Sequence, residues 1–389
     1  MDRSLRDRTV CLEHASYAHG SIMTALQRLG DCAGWSDERG PFGRVIRAGA
    51  RVLVKPNWVT HANHGPWGVE PLYTHPALIR GVVDALLRAE PSRVLVGDAP
   101  LQSCDFDRLM RETGLGEWGA DLARTDARFA GVADFRRTRC IYENGIRTAT
   151  EDEIPLDQFV LFDLGTDSLL EPVTDSRASF RVTQYDPDKL GRTHGRGRHQ
   201  YLVSREVIAA DVIVNLPKLK THKKAGITAA LKNLIGINGN KEFLPHHRVG
   251  GSEVGGDCYP GRSRIKRALE FTLDQLNRTA QRPRQRAWHL SERVLNRLAR
   301  ASGDQLGVEG SWQGNDTIWR TCLDLNRILL YGRLDGTLAA APQREVVNVV
   351  DAVMAGHGDG PLSPQPLPLG LLMAGSSSAA VDLVGSLLL

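Results

Sequence analysis

The sequence predicts an α/β protein with a mostly parallel sheet flanked by helices. Short, uninterrupted runs of apolar residues recur along the chain, as in strands that are buried on both faces of a parallel sheet. Between the first two runs lies a segment whose apolar residues follow helical spacing. The 389 residues are enough for one large domain with insertions or for two domains, and we expect a single domain.

The first repeat of the pattern predicts a strand, a helix and a second strand. Arg51–Lys55 (RVLVK) and Arg93–Gly97 (RVLVG) are the two strands. Ala77–Ala89 carries apolar residues every three to four positions and predicts the helix between them. Thr74 is suited to the N-cap and Pro76 to the first turn. Such a unit favours parallel strands with helices packed on the sheet.

Later segments extend this pattern and interrupt it twice. Asp211–Leu216 (DVIVNL) and Val346–Val350 (VVNVV) predict two more buried strands. Residues 101–205 predict an insertion with its own antiparallel strands, and residues 260–331 a helical insertion. The core is then assigned to about 45–100, 206–250 and 340–389. The further helices are expected at 226–235, 264–279, 286–300, 316–330 and 379–389. The last of them has no polar tail, which suggests a truncated C-terminus.

Composition and charge restrict the function classes. Hydrophobic residues make up 41% and charged residues 24% of the chain, as in ordinary globular proteins. A net charge of +4 is too small to argue for nucleic acid, but it is compatible with an anionic small molecule. No signal peptide is recognisable, and no apolar run approaches the roughly 20 residues of a membrane span. We therefore expect a cytoplasmic protein without a membrane span.

The six cysteines are scattered, which argues against a zinc ribbon, a ferredoxin-type cluster or a CxxC redox pair. In a cytoplasmic chain such thiols are usually small buried hydrophobic groups, and we expect that role here. They are Cys11, Cys32, Cys104, Cys140, Cys258 and Cys322.

Polar residues follow all four predicted strands, where ligands of open parallel sheets bind. If the strands are parallel neighbours, these residues converge on one edge of the sheet. The set is Lys55, Asn57, Asp98, Asn215, Lys218, Lys220, Thr221, His222, Asp351, His357 and Asp359.

The strongest of these signals is positive charge. Residues 212–241 contain six lysines and one histidine, but no Asp or Glu. Lys218, Lys220 and His222 alternate, so an extended backbone would point all three side chains the same way. A helix starting near Gly226 would add its N-terminal N–H groups. This combination predicts a site for phosphate or carboxylate; the competing interpretation is a solvated lysine surface. Neither the GxxxxGK[ST] loop nor a GxGxxG after a strand is present.

Several histidines admit two interpretations. They could bind a metal together with Asp98, Asp351 or Asp359, although no HExxH or tight ligand spacing is present. More often such histidines form hydrogen bonds or transfer protons near a ligand. The histidines concerned are His61, His64, His75, His222, His246 and His247.

One long motif resembles the family of domains of unknown function numbered 362. It is VNLPKLKTHKKAGITAALKNLIGINGNKEFLPHHRVG, from Val214 to Gly250. The flanking pieces agree with it: VLVKPNWV from Val52, VLVGDAP from Val94, VVDAVMAGHGDGP from Val349 and AGSSSAAVDLVG from Ala374. The resemblance implies an α/β fold. Relatives of the most similar subgroup are associated with surface-polysaccharide genes. Some relatives carry ferredoxin-like clusters, but the cysteine clusters for these are absent here. Cys258 and His357 stand where the resemblance leads us to expect acidic residues.

Three hypotheses follow. The first is an enzyme acting on an anionic small molecule, with Lys55, His222 and Lys220 as catalytic candidates. The second is a non-catalytic module that binds an anionic polymer or lipid head group, and the third is a metal-dependent hydrolase. No cofactor is assigned. In the first hypothesis the substrate-binding candidates are Asn57, His75, Asp98, Asn215, Lys218, Thr221, Lys232, Asn233, His246, His247, Asp351 and Asp359.

Overall fold

The structure is a computed structural model that describes residues 8–143, 146–152, 154–183, 185–279, 281–301 and 307–389. Its strands are β1 (Cys11–His14), β2 (Arg51–Pro56), β3 (Arg93–Asp98), β4 (Phe129–Asp134), β5 (Thr138–Glu143), β6 (Ile146–Asp152), β7 (Phe159–Asp163), β8 (Phe180–Arg181), β9 (His194–Gly195), β10 (Arg198–Ser204), β11 (Val212–Leu216), β12 (Lys218–His222), β13 (Gly226–Thr228), β14 (His247–Arg248), β15 (Glu345–Asp359), β16 (Ser363–Leu367) and β17 (Leu371–Gly375). Its α-helices are α1 (His19–Ala33), α2 (Pro76–Arg88), α3 (Phe106–Thr113), α4 (Leu115–Thr125), α5 (Pro187–Thr193), α6 (Arg205–Ile208), α7 (Ala230–Asn233), α8 (Arg264–Arg278), α9 (Arg282–Ala301), α10 (Ile318–Tyr331) and α11 (Ser378–Leu388).

A large mixed sheet forms the centre of the molecule. Its strands run in the order β1-β17-β15-β11-β2-β3-β4. The five strands from β15 to β4 are parallel to their neighbours, and β17 and β1 are antiparallel at the other edge. This confirms the predicted α/β class with a mostly parallel sheet.

Other elements pack on both faces of the sheet, which explains why the sequences of the parallel strands are continuous apolar runs. Val52 and Val54 pack with α1 and α2 in one core cluster. Leu53 packs in a second cluster with Phe162 of β7 and Leu325 of α10. Successive residues of one strand therefore face different cores.

The N-terminus of α2 differs from the prediction. His75, rather than Thr74, is the N-cap, and its ring accepts a hydrogen bond from the backbone N–H of Ala77. The Thr74 hydroxyl instead donates to the carbonyl oxygen of Leu216 and accepts from the N–H of Asn57. Thr74 thus ties together the segments that follow β2 and β11.

The region predicted as one insertion, 101–205, is divided in the structure. Helices α3 and α4 lead into β4, which pairs in parallel with β3 and so extends the main sheet. Antiparallel pairing begins only beyond it, in β5–β6 and in the sheet β7-β10-β9. The helices expected at 264–279, 286–300, 316–330 and 379–389 correspond to α8, α9, α10 and α11.

Two predictions near the lysine segment were wrong. Residues 226–235 form strand β13 followed by the four-residue α7, not one helix. The glycine-rich sequence from Gly356 to Pro361 also predicts a loop, but β15 continues to Asp359 and pairs with β16. A Cβ atom on Gly356 would lie 2.8 Å from Cβ of Lys220, so this glycine allows β12 to approach β15 closely.

The cysteines also differ from expectation at two positions. Cys11 of β1 and Cys32 of α1 form a disulfide, so they are not independent buried thiols. Cys104, Cys258 and Cys322 are free and buried, as predicted. The side chain of Cys140 lies outside the described residues. In the described part of the chain, no helix has both the length and the apolar character needed to cross a bilayer.

Candidate functional site

The candidate site lies where the connections of the sheet change direction. From β2 the chain proceeds to β3 and β4 on one side, whereas from β11 it proceeds to β15 on the other. Strands β2 and β11 are adjacent and parallel, with Lys55 opposite Asn215. The segments that follow them diverge, and such a crevice at the carboxyl ends of the strands is the usual binding position in open α/β sheets.

A buried ion pair forms the floor of this crevice. The Nζ of Lys55 lies 2.7 Å from Oδ1 of Asp98, and both side chains are almost completely excluded from solvent. Lys55 also donates to the carbonyl oxygen of Pro56, and the other oxygen of Asp98 accepts from the N–H of Trp58 at 2.7 Å. Burial lowers the pKa of Lys55 and raises that of Asp98, while the attraction between the pair opposes both shifts.

Gly236 lets the main chain approach this ion pair. A Cβ atom at this position would lie 1.9 Å from Oδ1 of Asp98 and 2.8 Å from Nζ of Lys55. Its carbonyl oxygen accepts from the N–H of Ala99, which follows β3. Any side chain here would displace the pair. No local motif distinguishes Gly236 from the other glycines of this segment, so the sequence alone does not predict this requirement.

A second buried ion pair lies further along β15. The Nζ of Lys218 is 2.8 Å from Asp351, and neither side chain is exposed. The two oxygens of Asp351 also accept from the hydroxyl of Tyr17 at 2.9 Å and from the N–H of His75 at 2.8 Å. The ring of Tyr17 stacks on that of His75, with 3.6 Å between centroids. The carboxylate of Asp351 therefore contacts one charged donor, Lys218, and accepts hydrogen bonds from two neutral donors, Tyr17 and His75.

The pKa values of this second cluster follow from its burial. Burial, followed by the neighbouring Asp351 carboxylate, raises the pKa of Tyr17. Burial lowers the pKa of His75 to about 4, so its ring is neutral at pH 7. Tyr17 was not among the predicted site residues. No local motif marks it, because it reaches the cluster from a distant part of the chain.

Three further lysines have no carboxylate within ion-pairing distance in the described part of the chain. Lys220 is fully buried, and its Nζ donates to the carbonyl oxygen of Leu72. Lys224 donates to the hydroxyl of Thr183 at 3.1 Å. Lys232 lies half-buried on the wall of the crevice. Burial lowers the pKa of all three, and for Lys220 the charges of Lys218 and Lys232 lower it further.

The predicted alternation of Lys218, Lys220 and His222 is present in the extended strand β12, and all three side chains are buried. The ring Nδ1 of His222 accepts from the N–H groups of Lys224 and Ala225, which leaves the proton of the neutral ring on Nε2. Burial and the surrounding lysines hold the pKa of His222 well below its usual range. His222 is therefore a neutral group in a positively charged setting.

The helix N-terminus that was predicted to bind an anion is already occupied. Helix α7 has only four residues, and its first N–H groups donate to the carboxylate of Asp382 in α11. Burial raises the pKa of Asp382 to about 7. Lys224, Thr228 and Lys232 are spaced by four residues, which in a helix would place them on one face, but Thr228 belongs to β13. The positive charge of the site therefore comes from side chains.

A chain of asparagine amides connects the strands beneath the crevice. Asn57 donates to Asn233, Asn233 to Asn215 and Asn215 to Asn348, at 3.0, 2.8 and 2.8 Å. Asn348 donates in turn to the carbonyl oxygen of Gly375. The buried Asn215 and Asn348 thus hold neighbouring strands together. The side-chain oxygen of Asn57 is buried without a hydrogen-bond partner in the described chain, so it is an available acceptor.

The crevice encloses a cavity of about 110 Å³. On this measure a single water molecule needs only about 10–15 Å³, so the space can hold a small ligand. Among the residues that line it are Asn57, Asp98, Lys232, Asn233 and His246. Burial and nearby lysines hold the pKa of His246 well below its usual range, so its ring is neutral.

The remaining predicted residues lie elsewhere. His247 lines a separate cavity of about 200 Å³ between β8, α8 and α9. The hydroxyl of Thr221 donates to the carbonyl oxygen of Gly358, and Asp359 forms an exposed ion pair with Lys223 at 3.1 Å. Thr221 and Asp359 therefore do not join the crevice. Among the described residues, no group of three or more His, Cys, Asp or Glu side chains is arranged to bind a metal.

Comparison with known proteins gives a family and distant relatives. The family model described as domain of unknown function DUF362 matches residues 52–159 and 166–386. The thylakoid-associated protein sll1697 of Synechocystis sp. is 21% identical over 373 residues, which are 96% of this chain and 71% of that protein.

Two solved structures resemble the chain over most of its length. One is a Thermotoga maritima protein, with a TM-score of 0.38, 10% identity and 95% of this chain covered. The other is the lactate racemase apoprotein of Thermoanaerobacterium thermosaccharolyticum, with a TM-score of 0.34, 12% identity and 100% of this chain covered. This chain spans 58% of the length of each of them.

Proposed function

The chain belongs to the DUF362 family, and from that premise we propose that it is an enzyme acting on a small anionic molecule, a phosphate or a carboxylate. The substrate binds in the crevice at the ends of β2 and β11. The observation that carries this proposal is the positive charge of Lys224 and Lys232, neither of which has a carboxylate within ion-pairing distance among the described residues, with Lys232 on the cavity wall.

Physical chemistry connects that observation to an anion. A buried ammonium group without a counter-ion is costly, and it either loses its proton or acquires a negative partner. Lys232 is on the cavity wall, where a ligand could supply that partner. The free oxygen of Asn57 and the neutral ring of His246 can then orient the substrate by hydrogen bonds.

In this proposal Lys220 is the proton acceptor or donor of the reaction. Burial holds the pKa of Lys220 well below its usual range, which favours the neutral amine as a proton acceptor. Lys55 keeps its charge through Asp98 and stabilises negative charge that develops on the substrate. His222 is the alternative proton donor, through its Nε2–H. The proposed pathway is surface-polysaccharide metabolism, as the family resemblance led us to expect.

A thermal-shift screen of the full chain tests the proposal. The probes are inorganic phosphate, sugar phosphates, sugar nucleotides, small carboxylates and divalent metals. A ligand at about 100 times its Kd adds roughly 2.7 kcal/mol to the stability, which is readily measured. We expect a shift with one class of anion that disappears in Lys232→Met.

Lys223→Met is the matched control, because Lys223 lies in the same segment but forms an exposed pair with Asp359. The control should keep the full shift. An absence of any anion-dependent shift, or equal loss in both variants, would contradict the proposal. A shift with a metal alone would instead favour a metal-dependent hydrolase. Once the substrate class is known, Lys220→Met should retain binding and lose turnover.

The proposed location is the cytoplasm. The Cys11–Cys32 disulfide opposes it, because disulfides persist mainly in oxidising compartments. The Synechocystis relative is named for its association with thylakoids, so the membrane fraction should be analysed as well when cells are fractionated. Fractionation of cells that produce the full chain should recover it on the cytoplasmic side, including the cytoplasmic face of membranes; recovery with extracytoplasmic markers would refute this location.

A further inference from the structure

Helix α9 presents a stripe of large apolar side chains to solvent. Leu290, Val294 and Leu298 are 63%, 46% and 51% exposed. They are spaced by four residues, so they lie on one face of the helix. Over eight residues the stripe is about 12 Å long. Isolated exposed leucines are normal on protein surfaces, but an aligned row on one helix marks a contact surface.

Arginines accompany this stripe. At about 100° per residue, Arg286, Arg293 and Arg297 project on one flank of the apolar row. All three are exposed, as are Arg284 and Arg300. Among the described side chains of α9, the exposed ones include no carboxylate; Glu292 is partly buried and contacts the ring of His289 at 3.1 Å. The outer face of α9 is therefore apolar and strongly basic.

The opposite face of α9 is used for packing on α8. Gln285 and Ala299 are buried there. At the edge between the helices, the ring of Phe271 from α8 meets that of Trp288 edge-on, with centroids 6.1 Å apart. Phe271 is itself 57% exposed, and Arg267 lies exposed one turn earlier in α8. The two helices thus form a hairpin whose aromatic edge is also accessible.

We propose that this α8–α9 hairpin docks on the surface of an anionic lipid bilayer. The apolar row enters the boundary between head groups and acyl chains, while the flanking arginines contact lipid phosphates, as in other interfacial amphipathic helices. Charge complementarity selects this occupant over a second copy of the chain, because two such faces would bring arginines together. The proposal is independent of the crevice and of the reaction proposed there.

Co-sedimentation of the full chain with lipid vesicles tests this inference. We expect binding to vesicles of equal parts phosphatidylglycerol and phosphatidylcholine, and at least about tenfold weaker binding to phosphatidylcholine alone. The triple variant Leu290→Gln/Val294→Gln/Leu298→Gln should lose binding at least about tenfold. Arg293→Gln/Arg297→Gln should weaken it about twenty-five-fold at low salt, at about fivefold for each arginine.

Leu156→Gln is the matched control, because Leu156 is 59% exposed on a different surface. It should leave vesicle binding unchanged, and circular dichroism should show that all variants remain folded. The proposal is overturned if wild type does not bind the anionic vesicles, or if the control loses as much binding as the triple variant. It is also overturned if soluble polyglutamate binds to the hairpin while vesicles do not, or if lipid-free wild type is a dimer that the triple variant dissociates.

Discussion

The ammonium group of Lys55 and the carboxylate of Asp98 lie 2.7 Å apart in the interior, and they join the ends of two neighbouring parallel strands. Removing one partner leaves the other charge buried and unpaired, which typically costs about 3–5 kcal/mol. We expect Lys55→Met and Asp98→Asn each to destabilise the protein by about this amount in urea unfolding. The double variant should lose clearly less than the sum; additive losses would show that the two charges do not depend on each other.

Gly236 offers a test of the close packing above that ion pair. In Gly236→Ala the new methyl group would meet Oδ1 of Asp98 at 1.9 Å, so the pair must move. We expect a loss of about 1–3 kcal/mol in the free energy of unfolding and weaker anion binding. Gly20→Ala is the control, because nothing lies within 4 Å of its added methyl group in α1. It should be neutral or slightly stabilising, and a similar loss at both positions would refute the explanation.

Anion binding should depend on pH in a defined direction. Burial lowers the pKa values of Lys220 and Lys232, so these groups gain protons as the pH falls through the range below the usual lysine value. Sulfate keeps its charge throughout, and its affinity should therefore increase as the pH falls from 9 to 6. Isothermal titration calorimetry measures this. Lys232→Met should flatten the profile, and a wild-type affinity that rises with pH would contradict the assignment.

His75 should make stability depend on pH at the acid side. Its pKa is about 4 in the folded protein, whereas an unperturbed histidine has a pKa of 6.5. The unfolded chain therefore takes up this proton first as the pH falls. The stabilising contribution is complete above about pH 6.5 and is lost toward pH 4, by up to about 3 kcal/mol.

Substituting His75 by Asn isolates this effect. Asparagine can still cap α2, but it does not titrate. The difference in unfolding free energy between wild type and His75→Asn should shrink or reverse between pH 7 and pH 4 in urea titrations. A difference that is constant with pH would show that His75 does not titrate in this range.

The Cys11–Cys32 disulfide should be measurable as stability. It closes a segment of 21 residues, and loops of that size contribute about 3 kcal/mol when they are cross-linked. Dithiothreitol should lower the thermal midpoint of wild type but leave Cys32→Ser unchanged. Peptide mapping by mass spectrometry should detect the linked peptides. A wild-type midpoint that does not respond to reduction would argue against a stabilising bond.

The apolar runs identified the parallel strands because a strand that is buried on both faces needs apolar residues at successive positions, as at Val52–Val54. The conformation near Gly226 could not be predicted in that way. The φ angle of Gly226 is +78°, and Lys220 pairs with Thr228 in a short hairpin. This strand pairing takes the place of the helix that the spacing of the residues predicted. Glycines likewise suggested a loop after Asp351, where they instead permit close strand packing.

The candidate site was predictable to a similar extent. The residues that directly follow strands, such as Lys55, Asp98 and Lys218, could be found from the end of each apolar run. Tyr17 could not, because it lies 334 positions from Asp351 and has no motif around it. Long-range contacts of this kind depend on topology rather than on local spacing. The disulfide was missed for a different reason, because thiols are expected to stay reduced in a cytoplasmic protein.

The carboxylate of Asp382 has a consequence for biosynthesis. It holds the first N–H groups of α7, the helix that carries Lys232 and Asn233. During translation, these two residues leave the ribosome about 150 positions before their anchor, at roughly 5–20 residues per second. The interval is longer still for Tyr17, which lies 334 positions before its partner Asp351. A nascent chain therefore has no assembled crevice until Asp382 has been synthesised, and the lysine-rich segment must remain unaggregated for that interval.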